Sequence, residues 1–167
     1  MQQKPPEIEL LVEQLHELRD VHEQLLLAAR SKQSAMRAGD VDALQSWSAR
    51  EQFLVDRIAA AEQQRRAIVD ALAQTLHLEG PVTLTLLAGK LEEPDRSRLL
   101  ALAGAIRSLA EQIRQTNQIN DAVTREILQC FAQMQQQYAV ARCDIGLYDT
   151  SGHKQLVTGV PILDAVG

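Results

Sequence analysis

Three long stretches of the chain carry apolar residues at alternating steps of three and four, and this spacing restricts the possible folds more than any other feature. In the first stretch the spaced residues are Ile8, Leu11, Leu15, Leu18, Leu25 and Ala29, with Val12 and Leu26 beside them. Because an α-helix has about 3.6 residues per turn, these side chains fall on one face. The spacing predicts a long amphipathic helix from about Glu7 to Arg37.

Gly39 and Asp40 predict a tight reversal after this first helix. Glycine suits the left-handed conformation that often ends a helix, and the Asp40 carboxylate can accept from the free amides of a new first turn. The second helix is predicted from about Val41 to His77. Its spaced residues are Leu44, Trp47, Leu54, Ile58, Ala61, Ile68 and Leu72. So short a connection predicts an antiparallel helical hairpin.

A short helix and a third long helix are predicted after the hairpin. The breakers Gly80-Pro81 and Pro94 bound a leucine-rich stretch in which Thr83 is placed to cap a helix of about two turns. The third long helix is predicted from Asp95 to about Ala141. Its spaced residues are Leu99, Leu102, Ile106, Leu109, Ile113, Val123, Ile127, Phe131, Met134 and Tyr138. The fold class expected for residues 1–141 is therefore all-α, a coiled-coil-like bundle of three long helices.

The helical spacing is lost from Arg142 onward, so residues 142–167 are predicted to form a flexible C-terminal tail. The tail is rich in apolar residues, which suggests a segment that orders when it binds a partner. Its stretch from Leu147 to Gly152 has the composition of a turn. Within it, Tyr148 is either the anchor of that turn or an exposed binding residue.

Charge and hydropathy exclude several functions. The formal net charge is −5 and no run of Lys or Arg is present, so nucleic acid is not an expected partner. No stretch is apolar enough to cross a bilayer, and the polar N-terminus does not resemble a signal peptide, so we expect a cytoplasmic protein with no membrane insertion. Cys130 and Cys143 are then expected to be reduced thiols.

Motifs for catalysis are absent from the sequence. It contains no glycine-rich phosphate loop, no zinc-protease motif and no Cys-x-x-Cys pair. We therefore predict no catalytic residues, no cofactor and no metal site.

Asn117 and Asn120 lie three residues apart in the middle of the third long helix, where asparagine is a poor helix former. Asn120 takes a position of the apolar series. A buried asparagine there can fix the register of packed helices, or the two side chains can contact a partner directly.

Four segments carry a resemblance to a known family. They are the Gly39-Asp40 turn, Glu62-Gln63-Gln64-Arg65-Arg66 in the second helix, Asn117-Gln118-Ile119-Asn120 in the third, and Leu147, Tyr148 and Gly152 in the tail. In order and approximate spacing they cover most of the chain, and the sequence resembles the FlgN family of cytosolic chaperones for flagellar type III export.

The resemblance implies a client, an export target and roles for particular residues. The implied clients are the hook-filament junction proteins FlgK and FlgL, whose C-terminal helix the chaperone holds to prevent premature assembly. A groove lined by Ile127, Phe131, Met134 and Tyr138 is expected to take up the apolar face of that helix. By matching position, Tyr148 of the tail, with Leu147 and Gly152, is expected to dock to the export gate.

A structural coiled-coil protein or signalling adaptor is the alternative, because long apolar helices can also serve self-association alone. The oligomeric state is left open by the sequence. The two functions predict different stoichiometries, since a chaperone binds the client helix one to one and an adaptor pairs with itself.

Overall fold

The computed structural model describes residues 6–78, 80 and 82–144, with side chains through residue 140. The described residues form four helices, which are α1 (Pro6–Ala38), α2 (Val41–Thr75), α3 (Leu84–Ala88) and α4 (Asp95–Asp144). The predicted all-α class is confirmed, and every long helix begins and ends within three residues of its predicted bounds. None of the described helices combines the length and the apolar character needed to cross a membrane.

The reversal between α1 and α2 forms as the sequence predicts. Gly39 takes a φ of +67°, and the Asp40 amide donates a hydrogen bond to the Ala35 carbonyl at 3.0 Å. The Asp40 carboxylate accepts from the Ala43 amide at 2.9 Å, which satisfies one free donor of the first turn of α2. The free backbone groups at both helix ends thus gain partners within two residues, so a two-residue loop is long enough for the hairpin.

In the segment between α2 and α4, backbone conformation and side-chain capping determine where the helices end and begin. α2 ends at Thr75, two residues before the predicted end, because His77 takes a φ of +51° that no α-helix can continue. Thr83 caps α3 as expected, with its hydroxyl accepting from the Leu86 amide at 3.2 Å. Leu87 of α3 is fully buried, so this short helix is held by its apolar side.

Polar pairs along the edges of the α1–α2 interface show that the two helices are antiparallel, because the pair that lies earliest on α1 lies later on α2 than the other two pairs do. The pairs are Glu17 with Arg57 at 3.2 Å, Gln24 with Arg50 at 3.1 Å, and Lys32 with Glu51. Lys32 and Glu51 interrupt the apolar spacing of their helices. Their side chains are only 20% and 13% exposed, so each charge is stabilised by the other across the interface.

The polar contacts between α1 and α4 run in the same direction along both helices, which are therefore parallel. They join Glu9 to Arg98 at 3.5 Å, Arg30 to Gln112 at 3.2 Å, and Ala29 to Asn120 at 3.0 Å. α1, α2 and the first part of α4 thus form an up-down-up bundle, which is the expected three-helix arrangement.

Two clusters of buried side chains make up the core of this bundle. The first lies where α1 begins, α2 ends and α3 packs, and its fully buried members are Leu11, Leu18, Leu72, Leu87, Ala88 and Leu99. The second lies nearer the hairpin turn and consists of Val21, Leu25, Leu26, Ala28, Leu54 and Ile113, with Trp47 packed against it. All three long helices contribute to both clusters, and α1 provides the largest share of the buried residues.

By its internal contacts the chain divides into two units, Met1–Ala122 and Val123–Gly167. The bundle core belongs to the first unit, and α4 contributes residues to both. The predicted boundary between bundle and tail at residues 141 and 142 stays a prediction.

Asn120 is the buried polar side chain of the bundle, with 2% of its surface exposed. Its Nδ2 atom donates to the main-chain carbonyl of Ala29 on α1 at 3.0 Å. An amide buried in an apolar core without such an acceptor is costly, so this hydrogen bond favours one axial position of α4 along α1. A role in helix register remains the prediction that this geometry supports.

Changing Asn120 to Asp should lower the free energy of unfolding at neutral pH by about 3 kcal/mol, because an ionised carboxylate is buried there and cannot donate to Ala29. The same amide-to-acid change at the exposed neighbour Gln118 should cost less than about 0.5 kcal/mol. Urea unfolding followed by helical circular dichroism measures both. Equal losses for Asn120→Asp and Gln118→Glu would remove the special role of Asn120.

Candidate functional site

The apolar series of α4 changes from buried to exposed along the helix. Leu99 is fully buried and Ile113 is 8% exposed in the first unit. In the second unit the same series continues as Ile127, Phe131, Met134 and Tyr138, whose side chains are 38%, 58%, 55% and 67% exposed. We call these four residues the C-terminal stripe. Their spacing predicts burial as strongly as that of Leu99 and Ile113, yet their side chains are exposed.

The C-terminal stripe is a continuous surface rather than a set of scattered residues. At about 100° of rotation per residue, its four side chains fall within about 60° of arc, and at about 1.5 Å rise per residue they extend over about 17 Å of helix. Leu128 and Val140, at its sides and back, are exposed as well. Two aromatic side chains, a methionine and an isoleucine in a row make an apolar surface of the kind that binds another helix.

The two asparagines predicted as site residues have different surroundings. Asn120 is buried against Ala29, a contact within the chain. Asn117 is half-buried, and its Oδ1 atom is buried with no hydrogen-bond partner among the described residues. The structure therefore connects Asn120 with the bundle, and it gives Asn117 no comparable contact through that oxygen.

Several predicted residues lie outside the described part of the chain. These are Leu147, Tyr148 and Gly152, the residues expected to dock to the export gate, and the side chain of Cys143. Cys130 is described, and it is a free, exposed thiol beside the C-terminal stripe.

Shifted pKa values occur at ion pairs on exposed helix surfaces. Hydrogen bonds from Arg114 and then from Gln115 lower the pKa of Glu111 to about 2. A hydrogen bond to Asp20 raises the pKa of Arg19. Such exposed pairs between neighbours on one helix contribute little to stability. Among the described residues no group of three His, Cys, Asp or Glu side chains is placed to hold a metal ion.

A cavity of about 420 Å³ lies beside α3 in the first unit, which the sequence did not predict. Its lining includes Arg65 and Thr83, but Arg65 is paired with Glu62 at 2.9 Å and the Thr83 hydroxyl caps α3. These polar groups already have partners within the fold. The C-terminal stripe therefore remains the strongest candidate for a binding site.

Comparison with known proteins identifies one family that matches most of the chain. The model of one family, described as FlgN protein, matches residues 1–155, whereas no curated protein and no solved structure matches the chain. The matched residues include the four helices described above, the C-terminal stripe and the tail as far as Gly152. The resemblance seen in the sequence is thereby confirmed, and the chain belongs to the FlgN family of flagellar export chaperones.

Proposed function

We propose that this chain is a cytoplasmic chaperone that binds the C-terminal helix of hook-filament junction proteins similar to FlgK and FlgL. It prevents their premature assembly and delivers them to the flagellar export gate. Membership of the FlgN family supports the general role. The observation that supports the more specific proposal is the C-terminal stripe, a row of exposed apolar side chains in the second unit.

An amphipathic client helix fits this surface because its apolar face can lie along the stripe while its polar face stays in water. Covering the four side chains removes roughly 300 to 400 Å² of apolar surface from water, a gross gain of about 8 to 10 kcal/mol. Much of that gain offsets the lost freedom of the two partners. Met134 is flexible enough to adapt to clients of different shape.

Delivery is proposed to use the tail. Leu147, Tyr148 and Gly152 follow the stripe in sequence and do not belong to it, so one chain can hold a client and reach the export gate with different residues. This division of labour separates client affinity from export, and the two can be measured independently.

Self-association through the C-terminal stripe is the second candidate function, because a second copy can also cover an exposed apolar face. Sedimentation of the full chain, alone and with a client C-terminal helix, distinguishes the two. A chaperone gives a one-to-one complex with the client helix. A stable dimer of the chain that ignores the client helix would favour the coiled-coil adaptor instead.

Changing Phe131 to Asp should weaken binding of the client helix by at least about 2 kcal/mol, roughly 30-fold, because it places a charge at the centre of the apolar contact. Titration calorimetry with the full chain measures the affinity. The matched control is Phe53→Asp, since Phe53 on α2 is 51% exposed, close to the 58% of Phe131. If both variants bind the client as the unchanged protein does, the stripe is not the binding surface.

Changing Tyr148 to Ala should leave client affinity unchanged within about twofold but reduce secretion of the client, because the tyrosine acts at the export gate and not at the stripe. Calorimetry measures the first quantity, and the amount of client in the culture medium of flagellated cells measures the second. A parallel loss of both would contradict the division of labour between stripe and tail.

A further inference from the structure

The segment of α4 that carries the C-terminal stripe contains no charged residue. Residues 127–141 include no Asp, Glu, Lys, Arg or His, although charged residues make up 23% of the chain. All side chains from Ile127 to Val140 are exposed except Ala139, which is half-buried. The polar residues among them are mostly glutamines, at positions 129, 133, 135, 136 and 137. An exposed helical surface this long without a charge is unusual, since exposed helix faces are ordinarily rich in charged residues.

The interfaces inside the bundle are built differently. The contacts of α1 with α2 and with α4 have charged side chains at their edges, such as Glu17 with Arg57 and Glu9 with Arg98. Charges at these edge positions select the partner, its direction and its register. The protein thus places charges at the edges of contacts inside its own bundle, whereas residues 127–141 include none.

Glutamines occupy the edges of the C-terminal stripe. Counting about 100° per residue, Gln135 and Gln137 lie about 80° to either side of Ile127, whereas Gln129 and Gln136 lie on the opposite face of the helix. A side-chain amide both donates and accepts hydrogen bonds. It can therefore pair with polar groups of a client in either direction, but it does not compensate a desolvated charge as an opposite charge would.

We propose that residues 127–140 recognise amphipathic helices whose residues beside the apolar face are uncharged, and that binding uses apolar contact and amide hydrogen bonds without an ion pair. This inference rests on the proposed function and adds the chemical class of the client. A client with Glu or Lys at those edges would have to desolvate the charge in part against amides, with no opposite charge among residues 127–141. A client with Gln, Asn, Ser or Thr there loses little on binding.

The test uses three synthetic helices of equal length with the same leucine face, whose edge positions are all Gln, all Glu or all Lys. Calorimetry with the full chain measures their affinities at peptide concentrations below self-association. The Gln helix should bind at least about fivefold more tightly than either charged helix. Its affinity should change by less than about twofold between about 0.1 M and about 1 M NaCl, where the Debye length falls from about 10 Å to about 3 Å.

Variants of the protein place charges at chosen faces of the same helix. Changing both Gln135 and Gln137 to Glu should reverse the order, so that the Lys helix binds best and its affinity falls with added salt. The matched control changes Gln129 and Gln136 to Glu on the opposite face, where all three affinities should keep their original order. Circular dichroism of both variants should show the same helix content.

The possible outcomes separate this inference from the proposed function. A Glu or Lys helix that binds the unchanged protein as tightly as the Gln helix would overturn the inference while leaving the stripe as the client site. The same conclusion follows if the two pairs of Glu substitutions act alike. If no helix binds, or if the chain alone forms a dimer that peptides do not displace, the proposed function and this inference both fail.

Discussion

The structure depends on the apolar face of α1, which is buried on two sides at once. Leu11, Leu15 and Leu18 are at most 1% exposed, and the wider face that includes Val12 and Val21 is buried as well. An apolar face one residue wide per turn can pack against one neighbouring helix, whereas the wider apolar face of α1 packs against both α2 and α4. α4 has 50 residues but α1 has only 33 and α2 only 35, so the apolar series of α4 is longer than either helix that could cover it.

The sequence predicts most of the fold because local chemistry decides it. Apolar spacing identifies the helices, and Gly39, Asp40 and Thr83 act at the positions where their side chains or backbone freedom are required. The contacts between Lys32 and Glu51 and between Asn120 and Ala29 were not predictable in the same way. Each joins residues far apart in the chain, and periodicity says nothing about which residues of two helices meet.

The candidate site also could not be predicted from apolar spacing alone. Ile113 and Ile127 belong to one series with one spacing, yet only Ile113 is buried. The spacing of apolar residues predicts that a face is apolar, but it does not predict whether residues of the same chain pack against that face. The resemblance to the FlgN family pointed to the C-terminal part of α4 as the client site, and the exposure of those side chains gives that assignment a physical basis. The role proposed for the tail residues Leu147, Tyr148 and Gly152 rests on the resemblance of their sequence to the family alone.

Because α4 is one continuous helix, its C-terminal part is already folded before any client helix binds in the proposed function. Starting a helix in water is unfavourable, and an isolated helix of about 15 residues is marginal, whereas adding turns to an existing helix is easy. Residues 95–122 are held in the bundle, so they act as a ready nucleus from which residues 123–144 extend. The C-terminal stripe therefore lies on a helix that is already formed, and in the proposed function a client helix would not bear the entropy loss of folding its receptor.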